Sequence, residues 1–242
     1  HSIYGRPGAC YLDMPDDIIQ GECDLDDITQ VERVPEPPKM IAPAENIEAA
    51  LDVLESAERP LVLVGKGMAW AHAEDEVREF IDRTQLPFVR SPMGKGVVPD
   101  DHPLAASAAR TLALQQADVV FLMGARFNWI FHFGLAPRFA PDVKVIQLDI
   151  SPEEIGHNKP AEVALVGDGK SIMSQVNKAL EGRQWFYPKD TPWRNALGEK
   201  ISANVETIKS QVNDDTAPAG YYRALRDVAA WMPENAILSA EG

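Results

Sequence analysis

The sequence predicts an α/β fold built on a doubly wound, mostly parallel sheet of five or six strands, and three observations predict it. Short, continuous apolar runs such as Leu61-Val62-Leu63-Val64 and Val119-Val120-Phe121-Leu122-Met123 show no polar alternation, so each needs cover on both faces. Between residues 44 and 182 these runs alternate with stretches whose apolar positions recur at helical spacing. Most of the runs end at a glycine followed by a polar residue, the way open α/β sheets finish strands beside a ligand crevice.

In chain order, residues 9–15 read as a short strand after a Gly5-Arg6-Pro7-Gly8 turn, closed by Pro15 and without a local partner. Residues 16–43 are acidic and carry Pro35, Pro37, Pro38 and Pro43, which reads as a linker laid over a surface. Ile47, Ala50, Leu51 and Leu54 make residues 44–58 a helix that Pro60 stops. A strand at 61–64 ends in Gly65-Lys66-Gly67; a helix follows over 74–84 with Val77, Phe80 and Ile81 as its stripe; a strand at 86–90 leads into the turn-rich loop Ser91-Pro92-Met93-Gly94-Lys95-Gly96. A helix at 105–116 delivers the chain to the strand that ends in Gly124-Ala125-Arg126, then come strands at 143–150, with Asp149 near its end, and 163–166, which stops at Gly167-Asp168-Gly169 before a helix at 171–180. Beyond Gly182 the pattern loosens into a second linker pinned by Trp185, Tyr187 and Trp193, a polar helix over 195–212, a helix over 219–231 and a strand at 236–239. The two end strands lack partners, so they must join the sheet or another chain, or lie loosely packed.

Composition narrows the function. A net charge of −14 over 242 residues argues against a general nucleic-acid or anionic-membrane binder, because such binding needs basic surface. Hydrophobic content of 45% and charged content of 25% are those of an ordinary globular protein. No apolar run approaches the roughly 20 residues that span a bilayer, and the N-terminus lacks the layout of a signal peptide. Cys10 and Cys23 form neither a metal pattern nor a disulfide framework, so a cytoplasmic setting is expected. The chain opens at His1 and stops just after an apolar run, and both ends read as cut from something longer.

Chemistry is expected at the carboxyl ends of the strands, which carry Lys66, Lys95, Arg126, Asp149 and Asp168. Lysine and arginine neutralise phosphate, glycines free backbone N–H groups to face it, and a strand-end carboxylate accepts from ribose hydroxyls. These residues call for an adenine nucleotide or a nucleotide-bearing carrier. Gly65-Lys66-Gly67-Met68-Ala69-Trp70 lacks the third glycine of a dinucleotide fingerprint, and the chain has neither a P-loop nor a nucleophile elbow. His72, His102, His132 and His157 are too irregularly spaced for a local metal motif. Gly167-Asp168-Gly169 with Asn195 imitates the metal motif of thiamine-diphosphate enzymes, but Asn195 sits in a run that reads as a helix start.

The segments Gly5-Arg6-Pro7-Gly8-Ala9-Cys10-Tyr11-Leu12-Asp13-Met14-Pro15, Gly65-Lys66-Gly67 with Ala71-His72-Ala73-Glu74, Pro92-Met93-Gly94-Lys95-Gly96-Val97-Val98-Pro99-Asp100 and Gly124-Ala125-Arg126-Phe127-Asn128-Trp129 resemble the thiamine-diphosphate-dependent 2-hydroxyacyl-CoA lyase and oxalyl-CoA decarboxylase family. His132-Phe133-Gly134 and the Pro92 loop lean toward the lyase. The resemblance implies a Rossmann-like central domain at 44–182, preceded by the last strand of a pyrimidine-binding domain (1–15) and a linker (16–43), and followed by a linker and helix (183–218) and the start of a diphosphate-binding domain (219–242). It implies an enzyme that uses thiamine diphosphate and Mg²⁺ to split a 2-hydroxyacyl-CoA into formyl-CoA and an aldehyde, as a dimer or tetramer. The family's activating glutamate and metal ligands fall in the other two domains, so the chain alone is expected to be inactive. It also implies an ADP or CoA site at Lys66, Ala109-Arg110-Thr111, Arg126 and Asp149, with Gly169 as a backbone contact; the relative's bulky residue is a glycine there. Lys66, Arg126 and Asp149 are reached from the residues themselves, Arg110 from the resemblance alone. An acetolactate-synthase-like fragment or a non-catalytic nucleotide-binding module is the alternative.

Overall fold

A computed structural model describes residues 2–238. Its centre is one five-stranded sheet, all parallel, in the order β2-β1-β3-β4-β5: β1 Pro60–Val64, β2 Phe88–Arg90, β3 Val119–Met123, β4 Lys144–Asp149 and β5 Val163–Val166. Every residue of β1 and β3 is buried, as their unbroken apolar runs require. The chain leaves β1 toward β2 on one side and then returns to β3 on the other. Right-handed crossovers therefore place the helices of these two steps on opposite faces.

The helices are α1 Asp16–Ile19, α2 Ala44–Glu55, α3 Lys66–Trp70, α4 Glu74–Thr84, α5 Arg110–Gln116, α6 Gly169–Leu180, α7 Pro192–Val212 and α8 Tyr221–Trp231. α2 and α4 both pack on α6, and α5 packs with α7. α2 buries Ile47, Ala50, Leu51 and Leu54, and α4 buries Val77, Phe80 and Ile81, so the apolar stripes legible in sequence are the faces turned inward. Asp168 caps α6 by accepting from the Ser171 N–H at 3.0 Å. α7 is anchored at its start, where buried Trp193 donates to the Pro60 carbonyl at 3.0 Å and Tyr187 donates to the Glu58 carbonyl at 2.6 Å.

Several elements differ from expectation. Residues 9–15 form no strand; they are exposed and have no ladder, since an extended segment without a partner gains nothing from pairing. Ala236, Ile237 and Leu238 also lie outside any strand, and Ser239 falls outside the described residues. The helix expected over 105–116 opens as a 3₁₀ turn at Ser107–Ala109 before α5, and a five-residue helix, α3, starts directly at Lys66 where a loop was expected. α2 ends at Glu55, short of Pro60.

Arg183 ties the end of α6 to α2: its guanidinium donates to Asp52 at 2.7 Å and Glu55 at 3.0 Å, and also to Glu48. Arg183→Ala would leave three carboxylates facing one another along α2. Stability is expected to fall by about 1 kcal/mol in dilute buffer and by less in 1 M salt. Urea midpoints at the two salt concentrations measure this, and an undiminished loss in salt would show that the contribution is not ionic.

Candidate functional site

The sheet order reverses between β1 and β3, and this is where open α/β sheets bind ligands. A cavity of about 880 Å³ opens there, walled by Lys66, Gly124-Ala125-Arg126, Asp149 and Gly167-Asp168-Gly169, the segments that follow β1, β3, β4 and β5. Residues 2–9 and 36–40 roof it. The volume lies within the range of small-molecule sites, and the wall mixes cations with apolar side chains such as Met68, Trp70 and Phe131.

Asp149, buried at 5% exposure, accepts through Oδ1 from the Ser151 N–H at 2.9 Å and from Arg6 at 3.3 Å. Burial pushes its carboxyl up from the ordinary aspartate value, more than the Ser151 N–H and Arg6 pull it down. Arg6 also donates to Glu154 at 2.6 Å, and Arg126 donates to the same Glu154 oxygen at 3.3 Å. Burial alone would raise Glu154, but the two guanidiniums outweigh it and hold the carboxyl below its usual value. Arg126 stays 46% exposed, so its remaining N–H groups face solvent or a ligand. Lys39 reaches Asp168 at 3.5 Å from the roof.

Asp168 is lowered although burial works to raise it, because the hydroxyl and N–H of Ser171 and the charge of Lys39 together prevail. A depressed carboxylate stabilises the fold above its ordinary pKa and loses that contribution as pH falls through the depressed value. Asp168→Ala is therefore expected to cost about 0.5–2 kcal/mol near neutrality. The difference from the parent should shrink progressively on the acid side. Denaturation midpoints across pH test it; a pH-independent gap would mean the carboxylate charge is irrelevant.

The sequence-predicted residues divide. Lys66, Arg126, Asp149 and Gly169 share the cavity wall. Ala109, Arg110 and Thr111 line a second, smaller cavity of about 370 Å³ with Ser107, Lys200 and Asn204. The Arg110 guanidinium donates to the Ile130 carbonyl and lies 5.3 Å over the Phe131 ring, and both of those residues line the larger cavity. Burial and the like charge of Arg138 push its pKa down. Lys95 is a correction: it pairs with Asp100 at 3.2 Å and is no part of the cavity wall.

The glycines are a second correction. Gly65 N–H donates to Met123, Gly67 to Gly124, Gly124 to Leu148 and Gly167 to Asp149 backbone oxygens, at 2.8–3.0 Å, so these donors are committed to the fold. Glycine is needed for close approach instead: a Cβ on Gly65 would stand 2.2 Å from the Gly124 oxygen, and one on Gly67 would stand 2.7 Å from the Gly124 Cα.

Arg6 and Glu154 are functional candidates that residue-by-residue reasoning passed over. Arg6 sits in a turn far along the sequence from any strand end, and only its place in the Gly-Arg-Pro-Gly segment marked it. In the Gly167-Asp168-Gly169 segment Asp168 is engaged as a helix cap and Asn195 lies inside α7, and among the described residues no three or more His, Cys, Asp and Glu side chains are gathered as metal ligands are. The residues present do not fit the magnesium of a thiamine-diphosphate centre. Among the described residues no helix is long and apolar enough to cross a membrane.

Comparison with known proteins places this architecture. The family model described as the thiamine pyrophosphate enzyme central domain matches residues 47–176. The chain is 42% identical over 241 residues to human 2-hydroxyacyl-CoA lyase 1, and 37% identical over 246 residues to the 2-hydroxyacyl-CoA lyase of Arabidopsis thaliana; each match covers 100% of this chain and 42% of the relative. It is 38% identical over 236 residues to oxalyl-CoA decarboxylase of Escherichia coli, covering 97% of this chain and 41% of that protein. The chain thus spans less than half the length of these relatives. With a parallel five-stranded sheet, flanking helices and this match over the sheet, the chain belongs to the thiamine pyrophosphate enzymes and carries their central domain.

Proposed function

We propose that this chain supplies the nucleotide-binding central domain of a thiamine-diphosphate-dependent 2-hydroxyacyl-CoA lyase, with residues 1–15 and 219–242 belonging to its neighbouring domains. The observation that carries the ligand reading is the placing of Lys66, Arg126 and Asp149 on one wall at the reversal of strand order. Lys66 and Arg126 neutralise the phosphates of ADP or CoA, and the buried Asp149 accepts from the ribose hydroxyls. Arg6, held against Asp149, adds another cation to the same cavity. Arg110, which the resemblance assigns to the same ligand, stands at the second cavity with its guanidinium turned to the Ile130 carbonyl and the Phe131 ring.

The reaction we assign to the whole enzyme is cleavage of a 2-hydroxyacyl-CoA to formyl-CoA and an aldehyde. Thiamine diphosphate and Mg²⁺ belong to that larger protein, and the residues of this chain bind and orient rather than react. The lyase reading draws on the 42% identity to the human enzyme, while an oxalyl-CoA decarboxylase reading draws on the 38% identity to the bacterial one. A cytoplasmic homo-oligomer, dimer or tetramer, is part of the same proposal.

Calorimetry on the 242-residue protein tests it: ADP or CoA binds, and NAD does not bind in preference. Supplied with thiamine diphosphate, Mg²⁺ and a 2-hydroxyacyl-CoA, the chain alone should give no formyl-CoA. Turnover above background would overturn the domain-only reading.

A further inference from the structure

Gln147 lies in β4 between Ile146 and Leu148 and is 2% exposed, and a buried amide there costs stability unless its donors and acceptor are paired. Its partners are not in the sheet. The side-chain N–H donates to the Glu154 carbonyl at 2.8 Å, and the side-chain oxygen accepts from the Gly156 N–H at 2.9 Å. Both bonds reach the loop that follows β4. The same loop is held at its two ends, where the Ser151 N–H donates to Asp149 at 2.9 Å and the Asn158 amide donates to the Phe127 carbonyl at 2.8 Å. Gly156 and Asn158 turn the chain between these ties through left-handed backbone, with φ +75° and +68°.

What this grip fixes is the Glu154 carboxylate. Its Oε1 accepts from Arg6 of the roof at 2.6 Å and from Arg126 of the wall at 3.3 Å. Glu154 does not itself line the cavity, so its influence there runs through the two guanidiniums. An apolar residue at 147 would leave the Glu154 carbonyl and the Gly156 N–H without these partners and free the loop to shift.

We propose that Gln147 and Asn158 are positioning residues: they set the loop after β4 so that one Glu154 oxygen holds Arg6 and Arg126 together at the cavity. Neither touches the ligand. The effect on the ligand rests on the nucleotide reading given above, whereas the effect on the Glu154 carboxylate stands without it.

Two measurements on the 242-residue protein test this role in Gln147→Met, which is close in volume, and in Asn158→Gly, a surface change that suits the left-handed backbone. The first is titration of the Glu154 carboxyl followed by carbon NMR. In the parent the two guanidiniums hold it below its usual value, and both variants should move it up toward that value. A Glu154 titration that stays at the parent position in Gln147→Met overturns the proposal whatever the urea midpoint does. Should Gln147→Met not fold, the same result in Asn158→Gly overturns it. The second is calorimetry with ADP, which Gln147→Met should weaken by about two- to tenfold, the effect of losing a neutral hydrogen bond. In a Glu154→Ala background that loss should vanish, because the path from Gln147 to the ligand is already cut. The same fold-loss in both backgrounds would mark a general structural defect and overturn the proposal. A parent that binds no ADP overturns the nucleotide reading, and the Glu154 titration then decides the positioning role by itself.

Discussion

Gly124→Ala is expected to remove about 2–5 kcal/mol of stability, a large part of the 5–15 kcal/mol that a domain of this kind has. Two independent costs add. Gly124 has φ +55°, the left-handed region, where an L side chain costs about 1–2 kcal/mol. Its Cβ would also stand 2.8 Å from the Gly67 Cα and 2.9 Å from the Met68 backbone nitrogen, and forcing two backbones apart in a packed crevice costs about 1–3 kcal/mol. Gly96→Ala is the control, since Gly96 has φ +94° with nothing within 4 Å of its Cβ. It should show the conformational cost alone. Urea denaturation of the two variants decides: equal losses would mean that the crossing of the two loops is slack.

Arg126→Ala is expected to weaken ADP about 10- to 150-fold, the effect of losing a charge-assisted pair of about 1.5–3 kcal/mol. The fold should survive, because Arg126 is 46% exposed and Glu154, its partner, keeps Arg6. The slope of affinity against salt should flatten in the variant, since one phosphate contact is gone. Binding that is unchanged in calorimetry would remove Arg126 from the site and leave the ligand to Lys66 and Arg6.

The strands and the inward faces of α2, α4 and α6 were legible because burial writes its own pattern: unbroken apolar runs for β1 and β3, and three- and four-residue spacing for the helices. The meeting of Lys66, Arg126 and Asp149 at one cavity was legible because topology alone brings those strand ends together. Lys95 misled, since it too follows a strand, but the loop after β2 turns it toward Asp100, and a pairing within a loop leaves no sequence period. The glycines were noticed for the wrong reason. Their spacing signals that something comes close, and only the structure shows that the close neighbour is the opposite loop rather than a phosphate. Arg6 was hidden because its partners lie 143 and 148 residues away. Residues 9–15 read as a strand from composition, which records the propensity to pair but not the presence of a partner.

The roof of the cavity has a thermodynamic character unlike that of its walls. The walls are strand ends fixed by buried ladders, whereas Arg6 is tied down by two ion pairs and connects back to Met40 through exposed chain. Closing a flexible loop of this length costs about 3 kcal/mol in chain entropy. Two partly exposed ion pairs return about 0–2 kcal/mol together, and less as mobile ions screen them. Dissolved electrolyte therefore weakens the hold on the roof while leaving the ladder-held walls unaffected, so the two sides of one cavity answer to different solution conditions.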